Sequence, residues 1–285
     1  MDIRTFNELY DRHLDTSDIR DKILNVSYGF DERHKMDIYY PDEGNMPYKT
    51  VVFFHGGGFF KGDKGRYQLA GALQGVYRGF AVISVNYRLV TTDPFPAYAN
   101  DAKAAVRYIV EHAEELHLDV SRMAVWGESS GAYLAILCGV TDTDETFEDY
   151  LINHCHKRIH FRSIIDWYCP YEVELQDKTQ MKEIMLKNHT LAFGEDSETA
   201  ADLERKSLLK QYFHDDMPAL LIQQGAKDPI VSVEASEKLK DDYASASPSS
   251  RVEMDVFEDN HHGVAEFSNA SNLNRVFAFI EDSFL

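Results

Sequence analysis

Basic residues are scarce in this chain of 285 residues: 29 Lys and Arg stand against 48 Asp and Glu, a formal net charge of −19. A surface of that sign repels nucleic acid and anionic membrane and disfavours polyanionic substrates. Cysteine is sparser still. Cys138, Cys155 and Cys169 are three, an odd set that gives no disulfide framework. No stretch reaches the roughly 18–20 apolar residues that a membrane span needs, and Met1–Glu8 is charged, without an apolar signal core. A soluble cytoplasmic protein with no nucleic-acid or membrane partner is expected. Apolar residues make up 44% and charged residues 27%, which suffices for a sizeable core. The length suits one α/β unit, and neither an internal repeat nor a linker divides it.

Residues 1–22 carry many charges around Ile3, Phe6, Leu9, Tyr10 and Leu14, a spacing that predicts a helical N-terminal arm. The rest, 23–285, reads as a single domain. Two strands, Ile23–Tyr28 and Lys35–Tyr40, flank a turn, and Thr50–Phe54 follows as an apolar, β-branched run typical of a strand buried on both faces. Helix and strand signals then alternate: helix Gly71–Arg78, strand Ala81–Val85, helix Ala97–Leu116, strand Met123–Trp126, helix Tyr133–Cys138. Strands Arg162–Trp167, Ala219–Gln223 and Val252–Phe257 come later, with helices Val233–Tyr243 and Val276–Phe284. Such alternation predicts a mostly parallel sheet with helices on both faces. Regularity breaks over 141–161 and 171–214, which read as insertions above the sheet forming a helical lid.

The strand Met123–Trp126 runs into Gly127-Glu128-Ser129-Ser130-Gly131 and then directly into a helix. A turn that sharp forces its central residue into strained dihedrals, and glycine on both flanks removes the Cβ atoms that would collide. Ser129 is thus presented on an exposed turn above a helix N-terminus, whose free N–H groups favour an oxyanion. A serine hydroxyl needs a base within hydrogen-bond reach, and the base needs an acid to fix its tautomer. Open α/β sheets gather such groups at the C-terminal ends of their strands. Asp228, after the strand Ala219–Gln223, is the acid candidate, with Asp166 at the end of the preceding strand as competitor. The base lies in Asp259-Asn260-His261-His262-Gly263. His262 is chosen because it precedes Gly263 and the closing helix, and His261 stays open. The turn His55-Gly56-Gly57-Gly58 ends a buried strand, and its unshielded N–H groups, with that of Ser130, can hold an oxyanion.

Taken in order, His55-Gly56-Gly57-Gly58-Phe59, Asn86-Tyr87-Arg88-Leu89, Trp126-Gly127-Glu128-Ser129-Ser130-Gly131, Gly225-Ala226-Lys227-Asp228 and His262-Gly263 resemble the α/β-hydrolase superfamily. The set is similar to its esterases and lipases with an HGGG turn, of hormone-sensitive-lipase-like or feruloyl/acetyl-esterase-like kind, over roughly residues 23–285. The resemblance implies a sheet of about eight strands, a triad of Ser129, Asp228 and His262, and oxyanion donors at Gly57, Gly58 and Ser130. It departs from the pattern at Ala132 and at Cys169-Pro170, where glycine is common. Neither touches the triad, though both can reshape the pocket.

Phe59, Phe60, Tyr87 and Tyr168 fall near predicted strand ends, and an acyl or aromatic pocket lined by some of them is expected. Glu128 needs no catalytic role. His154-Cys155-His156 with His160 matches no zinc spacing, so no metal and no cofactor are expected. The expected activity is hydrolysis of small soluble esters with short acyl, acetylated-sugar or hydroxycinnamoyl groups through an acyl-enzyme, falling in mild acid as His262 is protonated. Amide cleavage by the same triad, as in a peptidase or arylformamidase, and a non-catalytic binding protein on this fold are the alternatives. The partner is a small-molecule ester, and the protein is a monomer or homo-oligomer.

Overall fold

The apolar runs of the sequence become the strands of one sheet. In the computed structural model, residues 11–142, 145–149, 152, 157–171, 187, 189–194 and 198–285 are described. The strands are β1 (Lys22–Ser27), β2 (Lys35–Tyr39), β3 (Tyr48–Phe54), β4 (Phe80–Val85), β5 (Leu118–Glu128), β6 (Ser163–Trp167), β7 (Ala219–Gly225) and β8 (Val252–Phe257). They form an 8-stranded sheet in the order β1-β2-β4-β3-β5-β6-β7-β8. β1 and β2 are antiparallel to each other, and β2 to β4. All other pairings are parallel. The expected mostly parallel sheet is therefore present.

The helices bounded within the described residues include α1 (Ala70–Leu73), α2 (Ala97–Glu111), α3 (Ser130–Val140), α4 (Glu198–Ser207), α5 (Val233–Ala246), α6 (Val264–Phe267) and α7 (Ala270–Asp282). Strand alternation splits the core into two layers. Val52, Phe54, Ile83, Val125 and Ile222 face α2, α3 and α5. Val51, Phe53, Trp126, Ile165 and Leu221 face α1, α6 and α7. The central strands β3 and β4 are apolar on both sides because both layers cover them. No helix among the described residues is long and apolar enough to cross a membrane.

Three local expectations differ. Residues 1–10 of the predicted arm lie outside the described residues. Asp11 is helical, but the part that follows it is not: His13 bridges Arg66, and the Leu14 N–H donates to the Gly65 carbonyl at 2.9 Å. Pairing with this neighbouring segment satisfies the backbone that a helix would have satisfied locally. The predicted helix over 71–78 breaks into α1 and a 3-10 turn at Val76–Arg78. Gly75 sits between them, where even a Cβ would lie 3.0 Å from Val82 and 3.2 Å from Phe277. Finally, α2 ends at Glu111 rather than Leu116, because the chain must reverse through left-handed His117 to enter β5.

Of the predicted insertions, the described part over 187–207 is helical where assigned, and it docks on the body. The Phe95 N–H donates to the Ala192 carbonyl at 2.9 Å, the Tyr133 hydroxyl to the Ser207 carbonyl at 2.8 Å, and Phe95 and Phe193 pack at 5.5 Å. The earlier segment is tied to α2 by Glu148, whose side chain is 5% exposed and meets Arg107 at 2.6 Å and Lys103 at 3.3 Å.

Candidate active site

β5 is the centre of the sheet, and the turn at its C-terminal end carries Ser129. The φ of Ser129 is 52°, a left-handed conformation that costs a non-glycine residue free energy and persists only where its surroundings impose it. The surroundings are specific. The Ser129 N–H donates to the Trp167 carbonyl at 2.8 Å, tying the turn to β6. Strand and helix approach so closely that a Cβ on Gly131 would lie 2.5 Å from the His55 carbonyl oxygen and nearer still to that of Phe54. Only glycine fits there.

The ends of β7 and β8 bring the partners. The Ala226 N–H donates to the Phe257 carbonyl and the Lys227 N–H to the Asn260 carbonyl, each at 2.9 Å, so the two loops are held side by side. His262 Nε2 lies 3.0 Å from Ser129 Oγ, and His262 Nδ1 lies 2.6 Å from Asp228 Oδ2. Asp228 Oδ1 accepts the N–H groups of Ile230 and Val231 at 2.7 and 2.9 Å. Burial pushes the Asp228 carboxyl up, but the attraction of His262, the hydrogen bond to it and the two backbone donors together hold it below its ordinary value. An ionised Asp228 accepts only, so Nδ1 carries the proton and Nε2 presents its lone pair to the serine hydroxyl.

The alternatives left open in sequence separate here. His261 turns away, with Nδ1 3.2 Å from Glu266 and its side chain 40% exposed. Asp166 faces neither histidine among its hydrogen bonds: Oδ1 accepts the Cys169 N–H at 2.8 Å inside the core. Burial pushes its carboxyl up to about 8, so it is an uncharged acid at neutral pH.

The glycine turn follows β3. The Gly57 carbonyl accepts the N–H groups of Phe60 and Lys61 at 3.0 and 3.2 Å, and Gly57 has a φ of 115°, which favours glycine. Two clamps fix this turn against the nucleophile turn. The Gly56 N–H donates to Glu128 Oε1 at 2.6 Å, and the Phe59 N–H to Ser130 Oγ at 3.2 Å. The N–H groups of Gly57, Gly58 and Ser130 therefore belong to one braced corner, and Ser130, at the first position of α3, has no helical acceptor for its N–H. His55 packs beneath. Burial lowers its imidazole to about 4, which keeps it neutral.

The aromatic candidates divide. Phe59 is half-buried, stacked on Tyr98 at 4.0 Å and edge-on to Tyr133 at 5.6 Å, while Phe60 is half-buried with Lys187 Nζ 5.6 Å from its ring. Tyr87 and Tyr168 are fully buried. The Tyr87 hydroxyl donates to the His55 carbonyl at 2.6 Å and its ring stacks on His55 at 4.4 Å. Tyr168 backs His262 at 4.4 Å. Both brace the site from behind. Sequence reasoning missed the Glu128 clamp, although a carboxylate inside an otherwise apolar strand end was the signal for it. Cys138 and Cys169 carry free, buried thiols that burial pushes up, so they are poor nucleophiles. His154, Cys155 and His156 lie outside the described residues, and no metal-ligating cluster occurs among the described ones.

This geometry can move a proton from a serine to a histidine and stabilise the negative charge that forms on an attacked carbonyl. Comparison with known proteins gives the family and the fold. Residues 36–243 match the BD-FAE family model. Over 95 residues the chain is 39% identical to the esterase LipI of Mycobacterium tuberculosis, covering 33% of this chain and 29% of that protein. Over 100 residues it is 37% identical to the carboxylesterase NlhH of the same organism, covering 34% and 31%. The chain thus spans about a third or less of these curated relatives. A truncated carbohydrate esterase from gut microbiota superposes with a TM-score of 0.84 at 23% identity, covering 96% of this chain and 99% of that one. Esterase B of Lactobacillus rhamnosis gives 0.79 at 18%, covering 98% and 91%. At such identities the likeness is one of fold.

Proposed function

Because the chain belongs to the BD-FAE family, an α/β-hydrolase esterase family, we propose that it is a serine carboxylic ester hydrolase acting through an acyl-enzyme. The observation that carries this reading is the continuous row from Ser129 Oγ through His262 to Asp228, at 3.0 and 2.6 Å. His262 Nε2 takes the hydroxyl proton as Ser129 attacks the ester carbonyl. Asp228 holds the imidazole in its tautomer and stabilises the imidazolium. The N–H groups of Gly57, Gly58 and Ser130 receive the oxyanion, a contribution of about 10²–10³-fold in turnover for each donor. His262 then returns the proton to the departing alcohol, and the same residue activates the water that releases the acid.

Small soluble esters suit the site. Phe59 offers a rigid aromatic wall beside the oxyanion turn, and the helical segment docked on Phe95 and Tyr133 acts as a cap over it. Short acyl, acetylated-sugar and hydroxycinnamoyl esters are the proposed substrates. The relatives named esterase and carboxylesterase, and the fold neighbour named carbohydrate esterase, support that class. Hydrolysis of p-nitrophenyl esters from acetate to palmitate tests it. Turnover should peak at short chains. No turnover on any ester by folded protein would refute the reading and favour amide substrates or a binding role.

A further inference from the structure

The Asp228 carboxylate has one more partner, and it comes from inside the sheet. Gln224, the penultimate residue of β7, is fully buried, as is Ser236 in the first turns of α5. Strand alternation places Gln224 on the same side as Leu220 and Ile222, facing α2, α3 and α5. A buried amide is costly unless each of its groups is bonded. Here each is. Gln224 Nε2 donates to the Val231 carbonyl at 2.9 Å, Asp228 Oδ2 at 3.1 Å and the Gly225 carbonyl at 3.2 Å, and its Oε1 accepts from Ser236 Oγ at 3.0 Å. The orientation is fixed by chemistry. A flipped amide would set its oxygen against one carboxylate and two carbonyls.

We propose that Gln224, anchored by Ser236, is a positioning residue for the reaction: it fixes the carboxylate of Asp228 in the direction that His262 requires. This rests on the ester-hydrolase reading above. Asp228 Oδ2 is the oxygen that receives His262 Nδ1, while Oδ1 is held by Ile230 and Val231. Gln224 is thus the side chain that shares Oδ2 with the histidine. It also spans the loop from Gly225 to Val231 that carries Asp228. Removing it frees the carboxylate to rotate about its Oδ1 anchors and lengthens the bond to His262. The effect belongs to the chemical step, because Gln224 lies behind Asp228 within the core.

The test measures kcat and KM for p-nitrophenyl acetate in wild type, Gln224→Met and Ser236→Ala, each normalised to active sites titrated with diethyl p-nitrophenyl phosphate. Normalisation removes any loss of folded protein. In Gln224→Met, kcat per titrated site should fall on the order of tenfold with KM within about twofold, the scale on which supporting residues act. Ser236→Ala, which leaves the amide but removes its anchor, should lower kcat in the same direction by about threefold and decides the matter if Gln224→Met does not fold. Wild-type kcat per titrated site in the variants, whatever their melting temperatures, would overturn the proposal. An inactive wild type would instead overturn the ester-hydrolase reading, and it shows itself before any variant is made.

Discussion

Replacing Gly131 by alanine isolates what the tight strand-to-helix turn contributes. The added Cβ would lie 2.5 Å from the His55 carbonyl oxygen and nearer still to that of Phe54, where ordinary contact begins at 3.4 Å, so α3 must retreat from β3 by at least about 0.9 Å. Both neighbours are backbone, so no side chain can swing aside. The retreat carries Ser129 and the Ser130 N–H with it and pulls them from His262 and from the glycine turn. A misplacement of about 1 Å costs on the order of 10²-fold in rate, and the overpacking destabilises by about 1–3 kcal/mol. Gly79→Ala is the control. Gly79 has a φ of 78° with only the Glu43 carbonyl oxygen near its Cβ, at 4.0 Å, so the substitution strains the backbone by about 1–2 kcal/mol without touching the site. The two variants should melt a few degrees below wild type by calorimetry, yet only Gly131→Ala should lose about 100-fold in kcat on p-nitrophenyl acetate. Comparable kcat in both variants would refute the reasoning.

Asp228→Asn should reduce kcat by about 10⁴-fold, since an amide can hold the wrong tautomer of His262, whereas Asp166→Asn should leave kcat within about threefold; a large loss at Asp166 alone would transfer the acid role to it. Asp166 has a pH signature of its own. Its carboxyl is raised from 3.8 to about 8 by burial, so between about pH 4 and 8 the folded protein keeps a proton that the unfolded chain has released, and stability falls as pH rises through that window. The melting temperature of Asp166→Asn relative to wild type should therefore climb from pH 5 to 8; a difference independent of pH would contradict this. Phe60→Ala should raise KM for aromatic esters with little change in kcat on acetate, while Tyr168→Ala, which removes the ring behind His262, should lower kcat and leave KM nearly unchanged.

What sequence made visible was set by short-range chemistry. Gly127, Ser129 and Gly131 can be read because one turn dictates all three, and the parallel sheet because strands covered on both faces must be apolar throughout. Asp228 and His262 could be chosen at strand ends, but the loops that Ala226 and Lys227 hold side by side, which bring the two together while Asp166 and His261 face elsewhere, could not be read. Tyr87 and Tyr168 fall near strand ends in sequence, but nearness to a strand end does not say which way a ring points. The direction of a ring depends on His55 and His262, distant in sequence. The arm over 12–21 shows the same limit, since a helical spacing yields when a neighbouring segment offers better backbone partners. Gln224 and Glu128 were legible only as polar residues in apolar surroundings, and their partners were not.

The central claim is that His262 activates Ser129 as a nucleophile. The most direct measurement is peptide mapping by mass spectrometry after brief exposure to diethyl p-nitrophenyl phosphate, in wild type and in His262→Ala. Wild type should carry one diethylphosphoryl group on the peptide bearing Ser129, and labelling should slow by several orders of magnitude in the variant. An adduct on another residue, or labelling of Ser129 at the wild-type rate without His262, would contradict it.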